Sequence, residues 1–242
     1  MRKLLVLVPA LAVAACSAGN AQRAEGESGS RAQASRDFQA GAFDRIQLSG
    51  SPDVVVTVGG QPSIRAEGDA ELLERLEIVA ENGQLRIGLR EGTRNWFGRN
   101  RSLTVHVTMP ALAGAASTGS GDIAIDRVQG QRFAATLTGS GDIEIGTIEV
   151  REAEFAVRGS GGIKAAGRAQ RAAANLSGSG DLDLARFEAA EADVALAGSG
   201  DIAIRATRTA AVSLAGSGDI NIAGAARCTV TKSGSGDVRC GG

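Results

Sequence analysis

Hydrophobic and polar positions alternate with a period of two along most of the chain after residue 40. Such alternation predicts β-strands with one buried face. Between residues 113 and 242 the alternation is interrupted by a recurring Gly-Ser-Gly triplet, usually followed by Asp. The first glycines of the triplets are almost evenly spaced, at Gly119, Gly139, Gly159, Gly178, Gly198, Gly216 and Gly234.

The regular spacing aligns like residues in columns. Leucine or valine stands two positions before most triplets, and isoleucine or leucine stands four and six positions after most of their first glycines. Stacked identical strands would bury these columns, with Phe133, Phe155 and Phe187 as occasional fillers. The column before the triplet becomes Ser117 in the first repeat and Lys232 in the last, which suggests capping repeats at both ends.

This pattern predicts an all-β fold, a right-handed parallel β-helix of about seven coils over residues 113–242. An antiparallel sandwich or barrel of hairpins is the alternative, because each triplet also suits a hairpin turn. Residues 41–112 lack the triplet but alternate strongly, so they predict further strands. Asn82-Gly83 predicts a hairpin, and residues 68–76 predict one short helix with Asp69 as its N-cap.

The N-terminus has the pattern of an export signal. Arg2 and Lys3 precede an apolar run that is too short to span a bilayer comfortably. Val13-Ala14-Ala15-Cys16 resembles a bacterial lipobox, which implies cleavage after residue 15 and lipidation of Cys16; an ordinary secretory signal is the alternative. Ser17, rather than aspartate, resembles lipoproteins destined for the outer membrane. Polar residues 16–40 predict a flexible tether.

Loss of the leader removes two positive charges and moves the net charge from −1 to about −3. This balance gives no reason to expect nucleic-acid binding. Cys228 and Cys240 remain in an oxidising compartment, where a disulfide is expected, with free thiols as the alternative.

The residues after the leader resemble a known family. The opening "FDRIQLSGSPDVVVTVGG", the "NGQLRIGL" hairpin and the tandem GSGD turns are similar to the bacterial putative autotransporter adhesin, head GIN domain family. The resemblance covers residues 40–240 and implies an envelope-facing β-helical domain. It implies no catalytic residues and no cofactor.

The aspartates after the triplets form the first candidate site. They are Asp122, Asp142, Asp181, Asp201, Asp219 and Asp237. Each is expected to accept bonds from nearby backbone amides in an Asx-type turn. Calcium binding is the functional alternative, since stacked carboxylates repel and calcium prefers oxygen ligands. A regular row offers no asymmetric acid and base, and His106 is expected to face solvent, so we predict that the protein is not an enzyme.

The second candidate site is the segment 90–101, where aromatic and basic side chains meet. Its binding residues would be Arg94, Trp96, Phe97, Arg99 and Arg101. The alternative is a loop that covers the open end of the β-helix. Three functional classes follow: an adhesin-like or structural lipoprotein that meets glycan or envelope protein, an envelope sensor or accessory subunit, and a polysaccharide-processing enzyme. The oligomeric state does not follow from the sequence.

Overall fold

Parallel strand pairing joins every repeat to the next. The computed structural model describes residues 33–90, 92 and 102–241, and one compact unit spans Arg31–Gly242. The repeat strands are β8 (Gly114–Gly119), β9 (Ile123–Gln129), β10 (Arg132–Gly139), β11 (Ile143–Gly159), β12 (Gly162–Gly178), β13 (Asp181–Gly198), β14 (Ile202–Gly216), β15 (Ile220–Ala223), β16 (Arg227–Gly234) and β17 (Val238–Cys240). All pairings among them are parallel. The β-helix prediction is therefore confirmed, and the antiparallel alternative is wrong for the repeats.

Each coil has three sides, because the alternation of burial breaks at three places. In one coil, side 2 covers residues 143–145, side 3 covers residues 148–150 and side 1 covers residues 153–157. A Gly-Ser-Gly corner then leads into side 2 of the next coil. The seven corners delimit about six turns. Phe133, Phe155 and Phe187 are fully buried within the aliphatic columns, so the interior is filled by side chains.

The N-terminal strands extend the same stack. They are β1 (Gln33–Phe38), β2 (Arg45–Gly50), β3 (Asp53–Val58), β4 (Ser63–Asp69), β5 (Leu76–Glu81), β6 (Gln84–Leu89) and β7 (Leu103–Met109). Strand β2 pairs in parallel with β6 on one edge and with β8 on the other. Strand β3 likewise lies between β7 and β9. Hence the coil formed by β2 and β3 lies between two coils that follow it in sequence.

This order corrects the expected role of Ser117. The sequence suggested that Ser117 marks the polar cap of the first coil. In the structure Leu48 stacks on one side of Ser117 and Leu137 on the other. Ser117 is buried, and its hydroxyl donates a hydrogen bond to the carbonyl oxygen of Gly121 at 3.2 Å. The first coil of the stack is formed instead by β6 and β7.

Antiparallel strands and a short helix finish the N-terminal end. Strand β5 pairs with β6 through the Asn82-Gly83 turn, in which both residues have positive φ. Helix α1 (Ala70–Arg75) begins after Asp69, whose carboxylate accepts the amides of Glu71 and Leu72. The hairpin, the helix and its cap thus agree with the sequence prediction.

The domain begins earlier than the sequence suggested. Strand β1 lies within the stretch predicted as tether and pairs with β4, while β4 pairs with β7. Nearly all of its residues are exposed. Because β1 is held mainly by backbone hydrogen bonds, its polar composition did not reveal it. In the described residues no helix is long and apolar enough to span a membrane.

Candidate functional site: the corner row

The first glycine of each corner has a conformation and a position that only glycine fits. Its φ lies between 120° and 144° in all seven corners. This is a region that L-residues with a side chain rarely adopt. In addition, a Cβ on Gly139 would collide with the backbone of Gly119 in the preceding coil. The first glycine therefore provides both the turn and the close approach of the coils.

The third residue of the corner is glycine for a different reason. Its φ is not positive, yet a Cβ on Gly141 or Gly200 would run into the carbonyl oxygen of the equivalent glycine one coil earlier. Backbone amides of the corner use this proximity. The amides of Ser140 and Gly141 both donate to the carbonyl oxygen of Gly119, at 2.9 and 3.3 Å, and most other corners repeat one or both bonds.

The aspartates join consecutive coils. In each bond the carboxylate Oδ1 accepts the backbone amide of the equivalent position one coil later. The acceptors are Asp53, Asp122, Asp142, Asp181, Asp201 and Asp219, and the six donor–acceptor distances are 2.7–3.1 Å. The sequence suggested local Asx-type turns, whereas the bonded positions in the structure are 18 or 20 apart in sequence, and 69 apart in the case of Asp53.

One coil interrupts this aspartate ladder. Gly162 occupies the aspartate position and has no side chain. The amide of Asp181 therefore donates to the carbonyl of Gly161, at 3.4 Å. At the C-terminal end, Asp237 has no further coil to bind and instead lies 3.8 Å from Lys232 and 3.7 Å from Arg239. The ladder thus has two sections, each built from the same bond.

The corner row begins one coil before the positions that the sequence indicated. Gly50, Ser51, Pro52 and Asp53 form the equivalent corner between β2 and β3, and Gly50 pairs with Gly119. Proline replaces the third glycine, and several strands and the helix separate this corner from the next along the chain. The sequence signal for this corner is Gly-Ser-x-Asp followed by a valine-rich strand, without the regular spacing of the later corners.

The geometry of the row resembles a structural joint more than a metal site. One oxygen of each bonded carboxylate is engaged by an amide, and the aspartates after the Gly-Ser-Gly triplets lie at the surface. Throughout the described part of the chain, no group of three or more His, Cys, Asp or Glu side chains is arranged to hold a metal ion. The calcium alternative therefore has no ligand cluster among these residues.

A second charged column runs along the corner between side 3 and side 1. Arg132, Glu152, Arg171, Glu191 and Arg208 alternate in sign over successive coils. Glu152 lies 2.6 Å from Arg132 and 3.0 Å from Arg171, and Glu191 pairs with Arg171 and Arg208. The hydrogen bond from Arg132, together with the charges of Arg132 and Arg171, lowers the pKa of Glu152. These exposed pairs also link coils.

The disulfide lies at the C-terminal end of the stack. Cys228 continues an inward column of side 1, and Cys240 continues one of side 2, below Ile222. The Cys228–Cys240 bond joins them, with Cα atoms 6.5 Å apart. It thereby links two sides of the last coil, as the cysteine count suggested.

The described residues outside these rows contain few buried polar groups. Asp69 and Ser117 are the buried polar side chains of the described region, and both have the structural roles given above. His106 is exposed between Val55 and Arg65 of the neighbouring strands. A hollow of about 280 Å³ near the N-terminal end is lined by Phe38, Phe43 and neighbouring residues.

Some predicted site residues lie outside the described residues. These are Cys16 and the segment containing Arg94, Trp96, Phe97, Arg99 and Arg101. The described residues on either side of that segment are Gly92, which comes after β6, and Ser102, which precedes β7. Along the chain, the segment thus stands between these two strands.

Comparison with known families decides the classification. The family model described as "Putative auto-transporter adhesin, head GIN domain" matches residues 42–226. The chain belongs to this family. The match includes every Gly-Ser-Gly corner except the last, so the head GIN resemblance suggested by the sequence is confirmed. No curated protein sequence matches the chain significantly.

Solved structures share the head GIN fold. A putative adhesin from Bacteroides fragilis has a TM-score of 0.80 at 20% identity, and the match covers 87% of this chain and 97% of that one. A putative lipid binding protein from Parabacteroides distasonis has a TM-score of 0.66 at 22% identity, covering 86% and 96%. A putative adhesin from Parabacteroides merdae has a TM-score of 0.67 at 16% identity, covering 87% and 96%. At these identities the comparison establishes the fold.

Proposed function

We propose that this protein is a lipoprotein of the bacterial cell envelope that acts as a non-catalytic, adhesin-like binding module. Cys16 carries the lipid in this proposal, and the polar residues after it connect the anchor to the solenoid. The main support for this proposal is that the lipobox-like Val13-Ala14-Ala15-Cys16 precedes a head GIN domain. Lipid chains attached to one cysteine anchor a protein without spanning the membrane.

The proposal of a non-catalytic role rests on the uniformity of the polar rows. Acid–base catalysis needs at least two groups whose environments give them different roles. All aspartates of the corner row except the last, Asp237, accept equivalent backbone amides from the next coil. Such a row supports a rigid scaffold whose surface or inserted segments bind a partner.

We place the binding residues in the segment between β6 and β7. Tryptophan and arginine are the side chains that most often dominate binding energy. Trp96 stands between Arg94 and Arg99 in this segment. An aromatic face suits the apolar face of a sugar ring, and the arginines suit anionic groups. The proposed ligand is therefore a glycan or an acidic surface of an envelope protein.

Lipid attachment is tested by expressing the full chain in a Gram-negative host with radiolabelled palmitate. The wild type should incorporate label and sediment with the outer membrane. Cys16→Ser should remove both properties. Ser17→Asp is the matched control, because it should retain the label but keep the protein in the inner membrane. A labelled Cys16→Ser protein would contradict the proposal.

Ligand binding is tested on purified full-length protein, with a glycan array and with envelope proteins extracted from the host. Trp96→Ala should abolish the signal that the wild type gives, whereas Trp96→Phe should retain part of it. Asp142→Asn is the control for the corner row and should bind like the wild type at an unchanged melting temperature. Loss of binding in Asp142→Asn, with retention in Trp96→Ala, would overturn the assignment.

A further inference from the structure

Side 1 of the solenoid presents a broad sheet face that differs from the other two sides. It consists of the outward-pointing residues of nine parallel segments, those of β6, β2, β8, β10, β11, β12, β13, β14 and β16. Three outward columns cross these segments. Most positions in the columns hold Ala, Ser or Thr, so the side chains of a partner can approach this face closely.

Several charges elsewhere on the coils are paired between neighbouring coils. Glu144 pairs with Lys164 on side 2, Glu149 with Arg168 on side 3, and the Arg132–Glu152 column follows the corner. The centre of the broad face has no such cross-coil ion pair among the described residues. Glu154 and Arg158 are exposed, and within the described part of the chain neither makes an ion pair. On the neighbouring strands, Glu154 lies between Ala134 and Ala173, and Arg158 lies between Thr138 and Ser177.

The two charges cannot neutralise each other within one chain. Glu154 and Arg158 lie on the same segment of β11. Four residues of extended chain separate their Cα atoms by about 13 Å. Both charges stand unpaired on a face of small residues. A partner surface that carries an arginine opposite Glu154 and a glutamate opposite Arg158 would therefore neutralise both.

A second copy presents that reversed order. The central outward column contains Ala156 and Ser213, and the two outer columns contain Glu154 and Arg158. A two-fold axis that runs along the central column, parallel to the stacking direction, places each outer column of one copy opposite the other outer column of the second copy, coil by coil. Glu154 then meets Arg158 of the second copy, and Arg158 meets its Glu154. A two-fold axis parallel to the strands would instead place each charge opposite its own column, which contains Asp193 as well as Glu154. The charges therefore select the first arrangement.

The size of the broad face suits a stable dimer. Five residues at about 3.3 Å give a width of about 16 Å, and nine segments at about 4.8 Å give a length of about 43 Å. The resulting area is roughly 700 Å², which is within the range that each partner buries in a standard protein–protein interface.

We propose that the broad face is the interface of a symmetric homodimer, in which two solenoids lie side by side and are joined by reciprocal Glu154–Arg158 pairs. The interface is isologous, because each copy contributes the same surface. The proposal is independent of lipid attachment. It is therefore tested on the full chain carrying Cys16→Ser, which also removes one reactive thiol.

Charge reversal is the first test. Sedimentation equilibrium should give twice the 24.5 kDa chain mass for the starting protein. Glu154→Arg or Arg158→Glu alone places like charges opposite each other twice, so each should raise the dimer Kd at least about tenfold. The double variant restores both pairs in reversed order and should return Kd to within about threefold of the starting value. A monomeric starting protein, or a double variant as weak as the singles, would overturn the proposal.

Cysteine cross-linking tests the geometry without altering the charges. Ser213→Cys, in the central column, faces itself across the axis and should form an intermolecular disulfide under mild oxidation. Ser177→Cys is the matched control on the same face. It lies in an outer column, about 13 Å from its own copy, and should remain monomeric on a non-reducing gel. Cross-linking of Ser177→Cys in preference to Ser213→Cys would contradict the proposed axis.

Discussion

At the scale of single residues, each position of the corner motif has its own structural role: the glycines allow the turn and the close contact of neighbouring backbones, and the aspartate forms the hydrogen bond between coils. The glycines let adjacent backbones meet, and the aspartate carboxylate carries one hydrogen bond from each coil to the next. The same motif that appeared to be a chain of local turns is therefore the joint between coils. Its carboxylates accept hydrogen bonds from amides of the same chain.

We expect a substitution of Asp142 to lower the free energy of unfolding only when it removes the acceptor of the hydrogen bond between coils. Asp142→Ala removes the acceptor for the amide of Gly162, which lies 2.7 Å away, and should lower the free energy of unfolding by about 1 kcal/mol. Asp142→Asn keeps a carbonyl acceptor and should stay within about 0.5 kcal/mol of the wild type. Chemical denaturation measures both. An equal loss in the two variants would show that the charge, rather than the bond, stabilises the corner.

Gly200 tests the close approach of the coils. Gly200→Ala would place a Cβ against the carbonyl oxygen of Gly180, so we expect a loss of roughly 3 kcal/mol or failure to fold. Gly41→Ala is the control, because nothing lies within 4 Å of the added Cβ and its φ is not positive. Thermal melting compares the two. A Gly200→Ala protein as stable as Gly41→Ala would contradict the packing described here.

At the scale of strands and coils, the regular repeats followed from the sequence and the irregular N-terminal half did not. Columns of like residues at nearly constant spacing imposed parallel stacking. The corner at Gly50–Asp53 has no such spacing, since the hairpin, the helix and a whole coil separate it from Gly119. Its place between later coils depends on pairing between segments far apart in sequence, which no local pattern encodes. Ser117 was misassigned for the same reason.

The charged column between sides 3 and 1 makes stability depend on pH. Because the pKa of Glu152 is lowered in the folded protein, its contribution is complete above the ordinary glutamate value of 4.5 and is lost as the pH falls below it. Glu152→Gln should therefore show a smaller fall in melting temperature between pH 6 and pH 3 than the wild type. The control is Glu74→Gln on α1, whose exposed carboxylate makes no ion pair with the described residues. An identical pH profile for Glu152→Gln and the wild type would contradict this role.

The disulfide should stabilise the last coil locally. Closing a loop between residues 12 apart is worth about 3 kcal/mol in the chain-entropy model. In Cys228→Ala/Cys240→Ala, amides of β16 and β17 should exchange with solvent at least about tenfold faster, whereas amides of β11 should be unchanged. Hydrogen exchange with residue resolution measures this. Faster exchange throughout the stack would show that the bond stabilises the whole domain instead.

At the scale of the whole molecule, the side chains that hold the solenoid together and the surfaces that can bind a partner lie at different places. The aspartate ladder and the charged corner column hold coil to coil, while the broad face has unpaired charges. The sequence predicted the fold class, the disulfide and the family correctly. The segment around Trp96 stays a prediction, because it lies outside the described residues.

Thermal melting of the full chain with millimolar calcium and with chelator tests most directly the claim that the aspartate row joins coils rather than binding cations. Ligand binding to the folded state would raise the melting temperature with concentration. We expect the same midpoint in both conditions, since each bonded carboxylate already accepts an amide. A midpoint that rises with calcium in the wild type and stays constant in Asp142→Asn would contradict the account and make the row a cation site.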